Sequence, residues 1–215
     1  MTSQLPLFPL GLLAFPDEKV NLHIFEPRYK QLVTECFELE NPFGIVPYQE
    51  GEEMSLGTEM QIVEISHIYE DGKMDIKTQG KRIFNLESFE AQMPGKLYPG
   101  GVVRFLEPEY AMPSLLLVQE VKELLQKLYS LLGIELPFND WDESYSLYEI
   151  GHKLGLNLSE EIDFLGLPSE ADRFEYTKVH LKKMIPAVEK MESIRKRVKM
   201  NGHFKNVIPP DVESL

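Results

Sequence analysis

Ser193-Ile194-Arg195-Lys196 spells S-x-x-K, the spacing that sets a lysine beside a serine hydroxyl on one face of a helix and can turn it into a nucleophile. The companion S-D-N and K-T-G elements do not occur, and the tetrapeptide lies among Lys and Arg in what reads as a solvated helix end. The nucleophile reading therefore fails on context. His23, His67, His152, His180 and His203 are scattered, without the H-E-x-x-H pair that brings two imidazoles to one zinc ion. Neither G-x-x-x-x-G-K-[ST] nor G-x-G-x-x-G is present, which removes the loop of backbone N–H groups that commonly cradles phosphate, and no G-x-S-x-G elbow presents a serine. The expectation is a chain with no catalytic residue, no cofactor site, no metal site and no ATP hydrolysis.

Charge and composition point the same way. The 215 residues carry 35 acidic against 22 basic side chains, a formal charge of -13, which disfavours nucleic acid as the main ligand. One local exception is the basic stretch from Lys178 to Lys205, which could face nucleic acid or an acidic partner; with no aromatic platform interleaved, a solvated helix with dipole-complementing cations is the simpler reading. With 43% apolar and 27% charged residues the chain reads as an ordinary globular protein. No apolar run approaches the ~20 residues of a membrane span, and the N-terminus lacks a signal-peptide pattern. Cys36 is the single cysteine, which excludes an intrachain disulfide framework and fits a reducing compartment, so a cytoplasmic location is expected.

The elements that must position any site fall into two classes, an α+β layout. Leu5 to Leu10, Val20 to Phe25, Phe43 to Tyr48, Glu59 to Tyr69, Lys73 to Glu90 and Gly101 to Leu106 are β-rich or alternating, separated by Gly, Pro and acidic turns. Asp71-Gly72 predicts a tight hairpin in which both central residues take positive φ. Gly80 predicts a bulge or bend that lets a long strand curl. Tyr29, Leu32, Val33, Cys36 and Phe37 form one helical stripe, with Pro27 suited to the first turn, and this helix should cover one opening of the sheet. Cys36 sits on that stripe as a small buried hydrophobe.

Helices follow. Pro113 to Leu132 has helical spacing and stops at Gly133; Glu143 to Leu154 closes at Gly155; Ser159 to Leu165 closes at Gly166; and a long helix opens near Ser169, whose spacing to Asp172 resembles a capping box. Pro186 should kink that helix or divide it. The expected division is a β-rich subdomain over 1–110 and a helical bundle over 111–215.

Leu5-Pro6-Leu7-Phe8-Pro9-Leu10, Phe15-Pro16 and Leu22-His23-Ile24-Phe25-Glu26-Pro27-Arg28-Tyr29 together resemble the Lon N-terminal (substrate-binding) domain family. The similarity continues through Phe43-Gly44-Ile45-Val46, Gly57-Thr58, Ile62-Val63-Glu64-Ile65, Asp71-Gly72 and Gly80-Lys81-Arg82-Ile83-Phe84. It covers most of the first half well and the helical half loosely. The resemblance implies a PUA-like antiparallel β-barrel or curled sheet with one covering helix, followed by a C-terminal helical bundle. It also implies engagement of unfolded or extended polypeptides, or of a partner protein such as a protease, without the ATPase and Ser-Lys peptidase modules of the proteases themselves. Phe25, Arg28, Tyr29 and Arg82 are the candidate polypeptide-binding residues; the bland alternative puts Phe25 and Tyr29 in the core and pairs Arg28 with Glu26. A nucleic-acid-binding protein using the basic C-terminal helix is the alternative function.

Overall fold

A computed structural model describes residues 2–49, 52–53, 55–135 and 145–203. Seven strands, β1 (Thr2–Leu10), β2 (Lys19–Ile24), β3 (Phe43–Gln49), β4 (Glu52–Glu53), β5 (Leu56–Ile68), β6 (Met74–Glu90) and β7 (Gly100–Phe105), form one sheet ordered β1-β7-β6-β5-β3-β4, with β2 added against β6. Neighbouring strands are antiparallel except at one place. β1 also pairs with β3, in parallel, Leu7 opposite Gly44 and Leu10 opposite Pro47, so the ladder returns on itself. The expected antiparallel curled sheet is present, with this one parallel pair added to it. A parallel pair needs a crossover between its strands, and β2 with helix α1 (Pro27–Glu38) supplies it.

Alternation divides β1 between two cores. Leu5 and Leu7 pack with Val46, Phe84 and Val103, while Phe8 points to the other face, with Ile24, Phe43, Ile45, Met60 and Ile76. The α1 stripe, Tyr29, Leu32, Val33 and Cys36, closes this second core, and the Phe8 and Tyr29 rings stack 3.9 Å apart. Burial pushes the Cys36 thiol up to about 12, so it remains a protonated hydrophobe at neutral pH.

The hairpin forms where Asp71-Gly72 predicts it, with a different turn. Gly72 alone takes positive φ (74°), and the Tyr69 N–H donates to the Lys73 carbonyl, leaving a three-residue loop of Glu70, Asp71 and Gly72. Glycine in the left-handed position at the end of a three-residue loop suits the strand twist without straining Asp71. Near Gly80 the register slips by one residue, Thr58 facing Ile83 and Met60 facing Gly80, so Lys81 and Arg82 together oppose Glu59. Gly80 itself answers to a close approach: a Cβ there would lie 2.1 Å from the Phe15 carbonyl oxygen.

The chain forms two compact units, residues 1–112 with 142–173, and residues 113–141 with 174–215. Residues 142–173 thus join the strands. They supply a 3-10 helix (Leu147–Lys153) in place of the longer helix expected from Glu143, whose first residues lie outside those described, and then α3 (Leu158–Leu165). Asn157 and Glu160 close a reciprocal capping box at the start of α3. The second unit holds α2 (Leu115–Leu132), capped by Ser114 and by left-handed Gly133, and all but the first turn of α4 (Glu170–His203). Glu120 pairs with Lys182, and Lys127 with Glu189, tying α2 to α4. Of the two alternatives at Pro186, a kink or a division, division does not occur: α4 runs through the proline as one helix, at the cost of one helical hydrogen bond.

Candidate functional site

Phe15 is the joint of the first unit. The loop between β1 and β2 drives this ring, with no exposed surface, against Tyr148 (5.4 Å between centroids), His152 (4.7 Å) and Phe164 (5.9 Å). Gly151 leaves room for it, since a Cβ there would fall 2.3 Å from the ring. The loop is pinned at four points: the Phe15 N–H donates to Glu18, the Thr58 hydroxyl to the Ala14 carbonyl, the Asp17 N–H to the Gly80 carbonyl, and the Gly80 N–H to the Glu18 carbonyl.

His152 adds an electrostatic clamp to the same joint. Its Nε2 faces Glu18 at 3.2 Å and its Nδ1 faces Glu161 at 2.7 Å, and both nitrogens can donate only in the imidazolium. The hydrogen bond to Glu18, helped by Glu161 and opposed by partial burial, raises its pKa to about 9. A raised histidine pKa means that the native state binds the extra proton. Its stabilisation is complete below the unfolded value of about 6.5 and disappears as pH rises through about 9. The side chain is 39% exposed, so screening reduces the effect to about 1 kcal/mol. The thermal midpoint should therefore fall by roughly 2–4 °C more between pH 6.5 and 9.5 in the wild type than in His152→Gln. Equal slopes in both proteins would remove the clamp from the account.

Two grooves open on the first unit, with Arg82 and Phe105 on the wall of both. The Arg82 guanidinium lies 3.7 Å from the Phe105 ring centroid and makes two hydrogen bonds, 2.7 and 2.8 Å, to the buried Glu59 carboxylate. Glu59 owes its partner to the register slip, which puts Arg82 within reach.

The first groove, about 440 Å³, is polar at its α1 side. Glu35 accepts from Lys96 and Tyr98, each at 2.6 Å, and from Gln31 at 2.9 Å, and the Lys96 and Tyr98 hydrogen bonds hold its carboxyl below the usual carboxylate range. Glu35 and Gln31 thereby fasten α1 to the segment before β7.

The second groove, about 410 Å³, is lined mainly by Pro16, Ile83, Leu106, Pro108, Leu165 and Leu167, with Lys81, Arg82 and Glu107 also on its wall. Its floor is fixed by a polar network. Tyr148 donates to the Leu165 carbonyl and accepts from Arg173, which also donates to the Leu167 carbonyl and pairs with Glu170; Glu170 in turn accepts from the Leu147 N–H. Burial pushes the Tyr148 hydroxyl up to about 12, so it is a fixed donor and not a proton shuttle at neutral pH. The described lining has no Ser, Thr, Cys or His. Such a wall excludes water from apolar side chains.

The four residues singled out from the sequence do not converge. Arg82 stands on the wall of both grooves. Arg28 lies over the Tyr29 ring at 4.5 Å and pairs with Glu26, and both Arg28 and Tyr29 line a separate shallow recess beside Pro9 and Phe89. Tyr29 is buried, but Phe25 is 58% exposed, contrary to its core alternative, stacked beside His23 where β2 ends. Tyr148, Leu165 and Leu167 were missed. Their only sequence signal is an apolar pair around Gly166 before Pro168, in a segment read as part of the helical half.

Residues 4–195 match the family described as the ATP-dependent protease La (LON) substrate-binding domain. Among solved structures, the fold is similar to a Lon N-terminal domain protein from Xanthomonas campestris, with TM-score 0.63 and 21% identity, covering 80% of this chain and 95% of that one. It is also similar to the N-terminal domain of Mycobacterium avium complex Lon protease, with TM-score 0.57 and 13% identity, covering 84% of this chain and 98% of that one. No curated protein matches the sequence.

Proposed function

We propose, from the premise that this chain belongs to the LON substrate-binding domain family, that it is a non-catalytic module holding extended or unfolded polypeptide segments in the second groove. The carrying observation is the groove's lining: a volume of about 410 Å³, within the roughly 300–1,000 Å³ of small-ligand sites, walled by aliphatic and proline side chains. Unfolded segments differ from folded surfaces in offering apolar side chains together with free backbone groups. Arg82 is the member of the sequence-based candidates that this reading retains, as a rim residue. In the same reading the captured chain, or a partner protein such as a protease, is met in the cytoplasm, which the single reduced-type cysteine supports. Among the described residues no helix is long and apolar enough to cross a membrane.

The test is fluorescence anisotropy with a labelled, reduced and alkylated unfolded protein and a panel of apolar 12-residue peptides. Leu106→Ser with Leu167→Ser should weaken binding about tenfold while leaving the circular dichroism spectrum unchanged, because both side chains are only partly buried. Unaltered affinity in this folded variant would dismiss the groove, and no binding by the wild type would dismiss the function.

A further inference from the structure

The second unit carries a feature that polypeptide capture in the first does not use. α4 buries Phe174, Thr177, Leu181 and Ile185 at successive spacings of three, four and four, the seam expected where a helix packs on a neighbour. Beyond Ile185 that burial ends. From Pro186 to Val198 only Val188 and Glu192 are even partly buried, so about three and a half turns of helix are free of cover.

This free length is not uniformly polar. Ala187, Met191, Ile194 and Val198 recur at spacings of four, three and four, one stripe of a helix, and Met191, Ile194 and Val198 are 68%, 51% and 65% exposed. Charges beside the stripe are of one sign. Lys190 and Arg197 on one flank and Arg195 on the other border the stripe; the two acids in this length, Glu189 and Glu192, lie on the far side and pair with Lys127 and Arg195, while Lys190 and Arg197 have no ion pair among the described residues. A solvated helix has no use for an apolar seam, and a helix pairing with its own copy would set like charges against each other.

We propose that residues 186–198 of α4 are a docking helix for an acidic amphipathic helix of another protein, its apolar residues at three-four spacing and its flanks Asp or Glu. The partner's apolar seam covers Met191, Ile194 and Val198, and its acids meet Lys190 and Arg197. Burying three side chains that are otherwise at least half exposed supplies the affinity, and the charges set which helix is accepted.

The experiment uses the full chain and three probes: a 28-residue helical peptide with Leu at three-four spacing and Glu on its flanks, the same peptide with Lys for Glu, and a 20-nucleotide single-stranded RNA. Anisotropy should show the acidic peptide binding and the basic one not. Ile194→Ser with Val198→Ser should weaken it about tenfold or more, and Lys190→Glu with Arg197→Glu should reverse the preference toward the basic peptide. These positions are exposed, and an unchanged thermal midpoint confirms that each variant folds. Equal binding of both peptides, binding of the acidic peptide that ignores the stripe variants, or RNA bound more tightly than the acidic peptide would overturn the proposal. Self-association in sedimentation that the stripe variants abolish would overturn it too, by assigning the seam to a second copy. None of these outcomes touches the groove of the first unit, whose variants lie elsewhere.

Discussion

Phe15→Ala should lower the unfolding free energy by about 3–5 kcal/mol, the cost of deleting a fully enclosed aromatic ring. The ring has no exposed surface and meets three others, so its loss opens a cavity bounded by Tyr148, His152 and Phe164, and the backbone around it cannot collapse freely. The loop is held by the Thr58 and Gly80 hydrogen bonds on one side, and Gly151 has already moved its backbone close on the other. Phe15→Leu keeps most of the volume and should cost about 1–2 kcal/mol. Urea unfolding followed by circular dichroism measures both. A loss below about 1 kcal/mol for the alanine variant would mean that the loop is not the joint between the strands and residues 142–173. The same variant should also weaken polypeptide binding, since Pro16 and Tyr148 line the groove beside the joint.

Arg82→Met is expected to cost about 2–4 kcal/mol. The Glu59 side chain is 6% exposed and depends on Arg82 for two hydrogen bonds, so the substitution leaves a carboxylate out of water without its counter-charge. Arg82 itself is 59% exposed, which keeps the figure below that of a fully buried pair. The decisive comparison is with Glu59→Gln combined with Arg82→Met. Removing both charges should recover at least half of the loss, because the penalty resides in the stranded carboxylate. Arg82→Lys should fall between, as a lysine cannot make the two parallel hydrogen bonds of the guanidinium. If Arg82→Met stays within about 0.5 kcal/mol of wild type, the pair is an ordinary surface contact. The double variant also separates a stability role for Arg82 from its part in the groove, since Glu59→Gln with Arg82→Met recovers much of a structural loss, whereas a loss of polypeptide binding persists because Arg82 is absent from the groove in both variants.

The strands, the hairpin at Gly72, the α1 stripe with its buried Cys36, and the cap at Gly133 can be read along the chain because each depends on residues within a turn or two. The hydrophobic period and the cap chemistry carry that information locally. Phe15-Pro16 and Lys81-Arg82 are also visible, but only as parts of a family resemblance, without their physical purpose. The bulge predicted at Gly80 is there, and the tertiary structure adds a second use of the residue, the close approach of the Phe15 carbonyl to the strand. Arg82 was visible as a candidate and its partner Glu59 was not, because their meeting depends on a one-residue slip in pairing between two strands.

What the tertiary structure alone decided are the facts that couple distant segments. β1 meets β3 in parallel across the β2 and α1 crossover, residues 142–173 return to the strands instead of joining the later helices, and the groove gathers Pro16, Ile83, Leu106 and Leu167 from four separate stretches. An apolar residue in the sequence says that it wants to leave water, and nothing about which surface it will share with another. That choice is made by packing, where a ring such as Phe15 fits only against the glycine that leaves it room.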